Sequence, residues 1–171
     1  MKSALLLYHL AAVLLAAAAL WSMRHERHER ATGRGTWVLP VALATATAAI
    51  LLIVSPGKRV EFWIVGIAVG FVVGLGAGTV VSVNMDFERK LVRVHRTWDG
   101  VGAAALLLLL AVARIIASDL TKRQSSNSGL LGAIGAFLAA YLCGRALSMY
   151  FYNAPRTIHL DMIRGERTPT G

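Results

Sequence analysis

Five apolar runs dominate the chain, at residues 3–23, 36–54, 62–82, 100–118 and 129–150. An α-helix rises about 1.5 Å per residue, so runs of about 20 residues match the roughly 30 Å of hydrocarbon in a bilayer. With 56% hydrophobic residues and a mean hydropathy of +0.59, 171 residues hold more apolar surface than a soluble domain of that size can bury. The expected architecture is an all-α integral membrane protein, a five-span helical bundle. The segments between the runs are too short to fold separate domains. Residues 1–171 therefore read as one transmembrane domain, with 151–171 as a short tail.

The net charge of +9 is placed at span ends. Arg24, Arg27, Arg30 and Arg34 follow the first span. Arg89, Lys90, Arg93 and Arg96 follow the third, and Arg156, Arg164 and Arg167 lie in the tail, eleven cations in all. The opposite ends hold five, namely Lys2, Lys58, Arg59, Lys122 and Arg123. Cytoplasmic loops carry the excess of Lys and Arg, which predicts an N-terminus outside and a cytoplasmic C-terminus. The expected partner of this basic side is anionic lipid headgroup rather than nucleic acid. The first run also has features of a cleavable signal peptide, but the four arginines behind it favour a retained helix. Arg outnumbers Lys and Ala is abundant, a composition like that of proteins from GC-rich bacterial genomes, so the expected location is a bacterial inner membrane.

In the third span Gly66, Gly70, Gly74 and Gly78 recur every four residues, a glycine zipper on one helix face. The fifth span carries a parallel row in Gly132, Ala136, Ala140, Gly144 and Ser148. In lipid, helices associate by close packing rather than by hydrophobic drive, and small residues permit it. The two rows are expected to meet within one bundle. A homodimer seam and a glycine-lined permeation path are the other readings of the same pattern.

Ionisable groups inside a span are functional candidates because lipid penalises them. All nine acids fall in connections or tails, which argues against an ion-coupled transporter. Arg114 and Arg145 are expected to reach the headgroup layers nearest them, Arg114 otherwise pairing with Glu61 or Asp119. Tyr141, Arg145, Ser148 and Tyr152 lie on overlapping turns of the fifth span and form the candidate polar pocket. His9 reads as an interfacial histidine. "RHERHER" alternates basic and acidic groups, unlike a zinc site with four well-spaced ligands, and lone Cys143 has no partner for a disulfide. Neither a metal nor another cofactor is expected.

The polar connector "MDFERKLVRVHRTWDG" admits two backbone readings. Phe87, Leu91, Val94 and Trp98 recur at helical spacing, as in an interfacial helix. Its β-branched residues equally suit a short hairpin. Asp86, Glu88, Arg89, Lys90, Arg93, His95 and Arg96 make it a candidate cytoplasmic docking surface. Asp86, Glu88, His95 and Asp99 would be the groups of an enzyme site there, the least favoured class.

Arg34, Pro40 near the start of a span, a glycine-rich span ending "GLGAGTVVSV", the connector "DFERKLVRVHRTWDG", a Leu-rich span and "CGRALSMYFYN" together resemble the CcdC-like bacterial membrane proteins over residues 34–156. The resemblance implies a compact helical membrane domain whose activity is largely undefined. It also implies a hairpin at residues 86–96, entry to the next span at Thr97 and Trp98, and Arg145 and Tyr150 as the last span's Arg and Tyr positions. The first span is additional to that family's four-span core. The family name derives from a cytochrome c biogenesis locus, yet this chain has no cysteine pair for such chemistry. The expected function is therefore non-catalytic: an assembly, packing or sensing partner of other membrane components. The alternative is a small transporter or channel using the third-span glycines with Tyr141 and Arg145.

Overall fold

The computed structural model describes residues 2–23, 32–33, 38–54, 60–81, 83–86, 91–94, 98–120 and 128–152. In chain order these form α1 (Lys2–Ser22), β1 (Thr32–Gly33), α2 (Val38–Val54), α3 (Val60–Val80), β2 (Val83–Asp86), β3 (Leu91–Val94), α4 (Asp99–Leu120) and α5 (Ser128–Tyr152). Four helices, α1, α3, α4 and α5, are long and apolar enough to cross a membrane. The fifth, α2, is apolar but only 17 residues long, about 25 Å at 1.5 Å per residue.

Local chemistry explains where the helices begin and how their hydroxyls are satisfied. Pro40 sits in the first turn of α2, where its missing N–H breaks no helical bond. Glu61 and Asp99 place negative charge in the first turns of α3 and α4, against the positive end of the helix dipole. The carbonyl of Trp98 accepts from the Gly102 N–H at 2.7 Å, closing the first turn of α4. Within the helices, Ser22, Thr45, Thr47 and Thr79 donate to carbonyls three or four residues earlier at 2.7–2.8 Å.

Chain direction follows from residues that touch. Gly66, Gly70, Gly74 and Gly78 of α3 meet successively later backbone positions of α5, at Ala133, Phe137, Tyr141 and Arg145, so α3 and α5 run parallel. Asp99 at the head of α4 binds Arg145 near the tail of α5, so those two run antiparallel. Arg114, late in α4, reaches the last carbonyl of α2, which makes α2 and α4 parallel. The strands complete the picture: β3 lies between β1 and β2, antiparallel to both, with Thr32 opposite Val92, Val83 opposite Val94 and Asp86 opposite Leu91. This small sheet joins the segment after α1 to the segment between α3 and α4. It marks one end of the bundle, where α1, α3 and α5 finish and α2 and α4 start. Residues 87–90, between β2 and β3, lie outside the described residues.

The core is built by α1, α2, α4 and α5, with Ala16, Ala44, Ala104, Leu51, Leu107 and Leu142 among its buried members. Alanine at the contacts brings helix backbones close together. Leu51 of α2 and Leu110 of α4 converge on Gly135 of α5, 3.2 and 3.3 Å from where a Cβ would lie. No α3 residue belongs to this cluster. α3 instead packs on α5 from outside the four-helix ring, and Gly70, Gly74 and Gly78 are its only buried residues.

Candidate functional site

The strongest polar constellation lies where α4 begins and α5 approaches its end, next to the sheet. Tyr141 and Arg145 are four residues apart and share one face of α5. The Arg145 Nε donates to Asp99 Oδ2 at 2.7 Å, and an Nη of the same guanidinium donates to Asp99 Oδ1 at 3.3 Å. The Tyr141 hydroxyl donates to Asp99 Oδ2 at 3.1 Å. A guanidinium gripping both carboxylate oxygens is the geometry in which Arg pairs most strongly. The Arg145 side chain is 2% exposed and that of Asp99 34%, so the pair is buried on one side and open on the other.

The site's placement depends on glycine. A Cβ at Gly74 would run into the carbonyl of Tyr141, and one at Gly78 would lie 2.6 Å from Ser148 Cβ. The closeness of α3 to α5 at the level of Tyr141, Arg145 and Ser148 thus requires hydrogen in place of side chains. At the far end of the seam a Cβ at Gly66 would lie 2.8 Å from the Ala133 carbonyl oxygen. From α5, Gly144 gives the same access to the backbone of Phe71. Carbonyl oxygens aimed at glycine Cα–H groups in this way add weak contacts of about 0.5–1 kcal/mol each.

The structure gives three of the polar side chains inside the helices partners that the sequence did not show. Arg145 turns across the bundle to Asp99, whose carboxylate offers it two acceptors. Arg114 is likewise turned inward, 7% exposed, and donates to the Val54 carbonyl at 3.2 Å. The last carbonyls of a helix lack internal partners, and a cation there also suits the helix dipole. His9 is 5% exposed, and its Nδ1 lies 2.7 Å from the Leu5 carbonyl, so that nitrogen carries the proton. Asp99 is the first residue of α4 rather than part of a free connector.

The α5 small-residue row relates to the seam in a specific way. Gly132, Ala136 and Gly144 are buried and Ala140 is partly so. The α5 atoms that meet the α3 glycines belong mainly to the backbone one position later. Small side chains bare the carbonyls beside them, and α3 rests on those carbonyls.

Of the proposed pocket, Tyr141 and Arg145 are brought together on Asp99. Ser148 is 1% exposed, and among the described residues its Oγ has no hydrogen-bond partner. Only the backbone of Tyr152 is described. The connector surface falls largely outside the described residues: Glu88, Arg89, Lys90, His95 and Arg96 lie there, and Asp86 and Arg93 are described as strand positions. Among the described residues no three His, Cys, Asp or Glu side chains gather as metal ligands would.

The constellation can hold two helices together. Asp99 has both oxygens engaged by Arg145 and Tyr141. No family model, curated protein or solved structure matches this chain.

Proposed function

We propose that the chain is a five-span bacterial inner-membrane protein without catalytic activity, which serves as an assembly, packing or sensing partner of other membrane components. The observation that carries this reading is the Asp99–Arg145–Tyr141 constellation, whose prominent polar groups are engaged with one another. Burying an arginine is costly unless it is paired, and here the pairing draws α4 onto α5. The α3 glycines, the main feature favouring a permeation path, are in contact with the α5 backbone.

In this proposal α2 is the fifth span, its short length met by local thinning of the bilayer around it. The basic excess after α1, after α3 and in the tail sets the sheet end in the cytoplasm. The connector forms a hairpin there, and its charged side chains are the docking surface. The contacting partners are anionic headgroups and another membrane protein, or a second copy of the chain. The CcdC-like resemblance of residues 34–156 supports a helical membrane domain of this kind and assigns it no reaction.

Affinity capture from native lipid discs tests the proposal, comparing the natural chain with an Arg93→Glu/Arg96→Glu variant. A partner retained by the first and lost by the second supports docking through the connector. Solute flux in proteoliposomes that disappears in Gly70→Leu while the fold persists would overturn it in favour of a transporter.

A further inference from the structure

At the sheet end, three helices turn large aromatic side chains outward. Trp21 of α1 is 67% exposed, Trp98 at the head of α4 is 55% exposed, and Tyr150 and Phe151 near the end of α5 are 54% and 66% exposed. The last two rings stack edge to face with centroids 5.3 Å apart. The chain directions derived above bring these residues to one end of the bundle, although they are far apart in sequence. The stems between the two ends carry different chemistry: their outward side chains include Leu14, Val72, Val73, Leu106 and Leu109.

Leucine and valine suit lipid tails. Indole and phenol combine an apolar body with a polar edge and concentrate where hydrocarbon meets headgroups. Beside the aromatic residues lie the half-open Asp99–Arg145 pair and the strands, groups that tolerate a wet, polar layer. Toward the other end, Tyr8 and Phe62 are 50% and 46% exposed. From Phe62 to Val80 along α3 is about 27 Å at 1.5 Å per residue, close to a hydrocarbon thickness.

We infer that Trp21, Trp98, Tyr150 and Phe151 form a lipid-binding band seated at the glycerol and headgroup level of the leaflet on the sheet side. This rests on the membrane reading above and adds a depth to it. The Asp99–Arg145 pair sits at the boundary itself, with its carboxylate edge toward the headgroups and its guanidinium toward the bundle. The sheet lies in the headgroup layer.

The test uses two full-length chains with one tryptophan each. One retains Trp98 and carries Trp21→Phe, Trp37→Phe and Trp63→Phe; the other retains Trp21, with the remaining three changed to Phe. Each is reconstituted in phosphatidylcholine–phosphatidylglycerol vesicles containing lipid brominated either near the glycerol or near the chain methyl. The expected result for both is a greater loss of emission with the shallow bromines than with the deep ones. Equal or greater loss with deep bromines would overturn the band. So would loss to aqueous acrylamide with none to either lipid in both chains, provided a third chain retaining Trp63 alone is still quenched by bromine. If that third chain is not quenched either, the membrane reading itself fails.

Discussion

Arg145 shows how one side chain decides the character of a bundle interior. With Asp99 present its charge is neutralised, and Tyr141 adds a further hydrogen bond to the same carboxylate. Asp99→Asn keeps the shape but leaves a buried guanidinium without its counter-charge. The expected loss is about 3 kcal/mol, the low end for breaking a buried pair, because Asp99 is partly exposed. Exchanging both partners, Asp99→Asn with Arg145→Met, removes the orphaned charge, so the double variant should lose less than the two single losses added. Tyr141→Phe should cost about 1 kcal/mol. Reversible unfolding in mixed detergent micelles measures all four; strictly additive losses would contradict the coupling. The sequence displayed the parts of this site but not their meeting. Asp99 and Arg145 are 46 positions apart and each suggested a separate role. Their distances from the short α4–α5 connection are nearly equal, and in an antiparallel pair that symmetry brings them face to face. This was the available signal.

At the scale of elements, α3 depends on the absence of side chains. Gly74→Ala would drive a methyl group into the Tyr141 backbone, which cannot swing aside as a flexible side chain can. Overpacking of this kind typically costs about 1–3 kcal/mol. Gly76 faces open space, with no atom within 4 Å of where a Cβ would lie, so Gly76→Ala should leave stability unchanged or slightly raised. Thermal unfolding of the two variants in one detergent separates them, and equal losses would remove the seam as the reason for the glycines. Spacing four in the sequence marks this face plainly. What it cannot convey is that carbonyls of α5, more than its small side chains, form the opposing surface. β1 was also invisible: Thr32 and Gly33 are too few to show a pattern, and only their pairing with Val92 and Leu91 makes them a strand.

For the whole molecule, charge bias and architecture bear on different questions. The helices determine which segments share an end, and the basic residues predict which compartment that end faces. An alkaline phosphatase fusion after Gly171 should be inactive and a fluorescent protein fusion there should be bright, since the former folds outside the cytoplasm and the latter inside. The reverse pattern would invert the proposed orientation without altering the bundle. Four long apolar helices follow almost directly from hydropathy, because a backbone in lipid must satisfy its own hydrogen bonds. The ring of α1, α2, α4 and α5 with α3 outside it was not evident, since alanine- and leucine-rich helices offer similar surfaces to many neighbours.

The position of α3 also has a consequence in time. Its packing surface is α5, yet about 70 residues separate the end of one from the end of the other. At translation speeds of about 5–20 residues per second, α3 must wait on the order of 4–14 s in the bilayer before its mate has been synthesised. During that interval its bare glycine face is open to other helices passing through the same insertion machinery. A chain halted after α4 would leave that face without the α5 backbone it packs on.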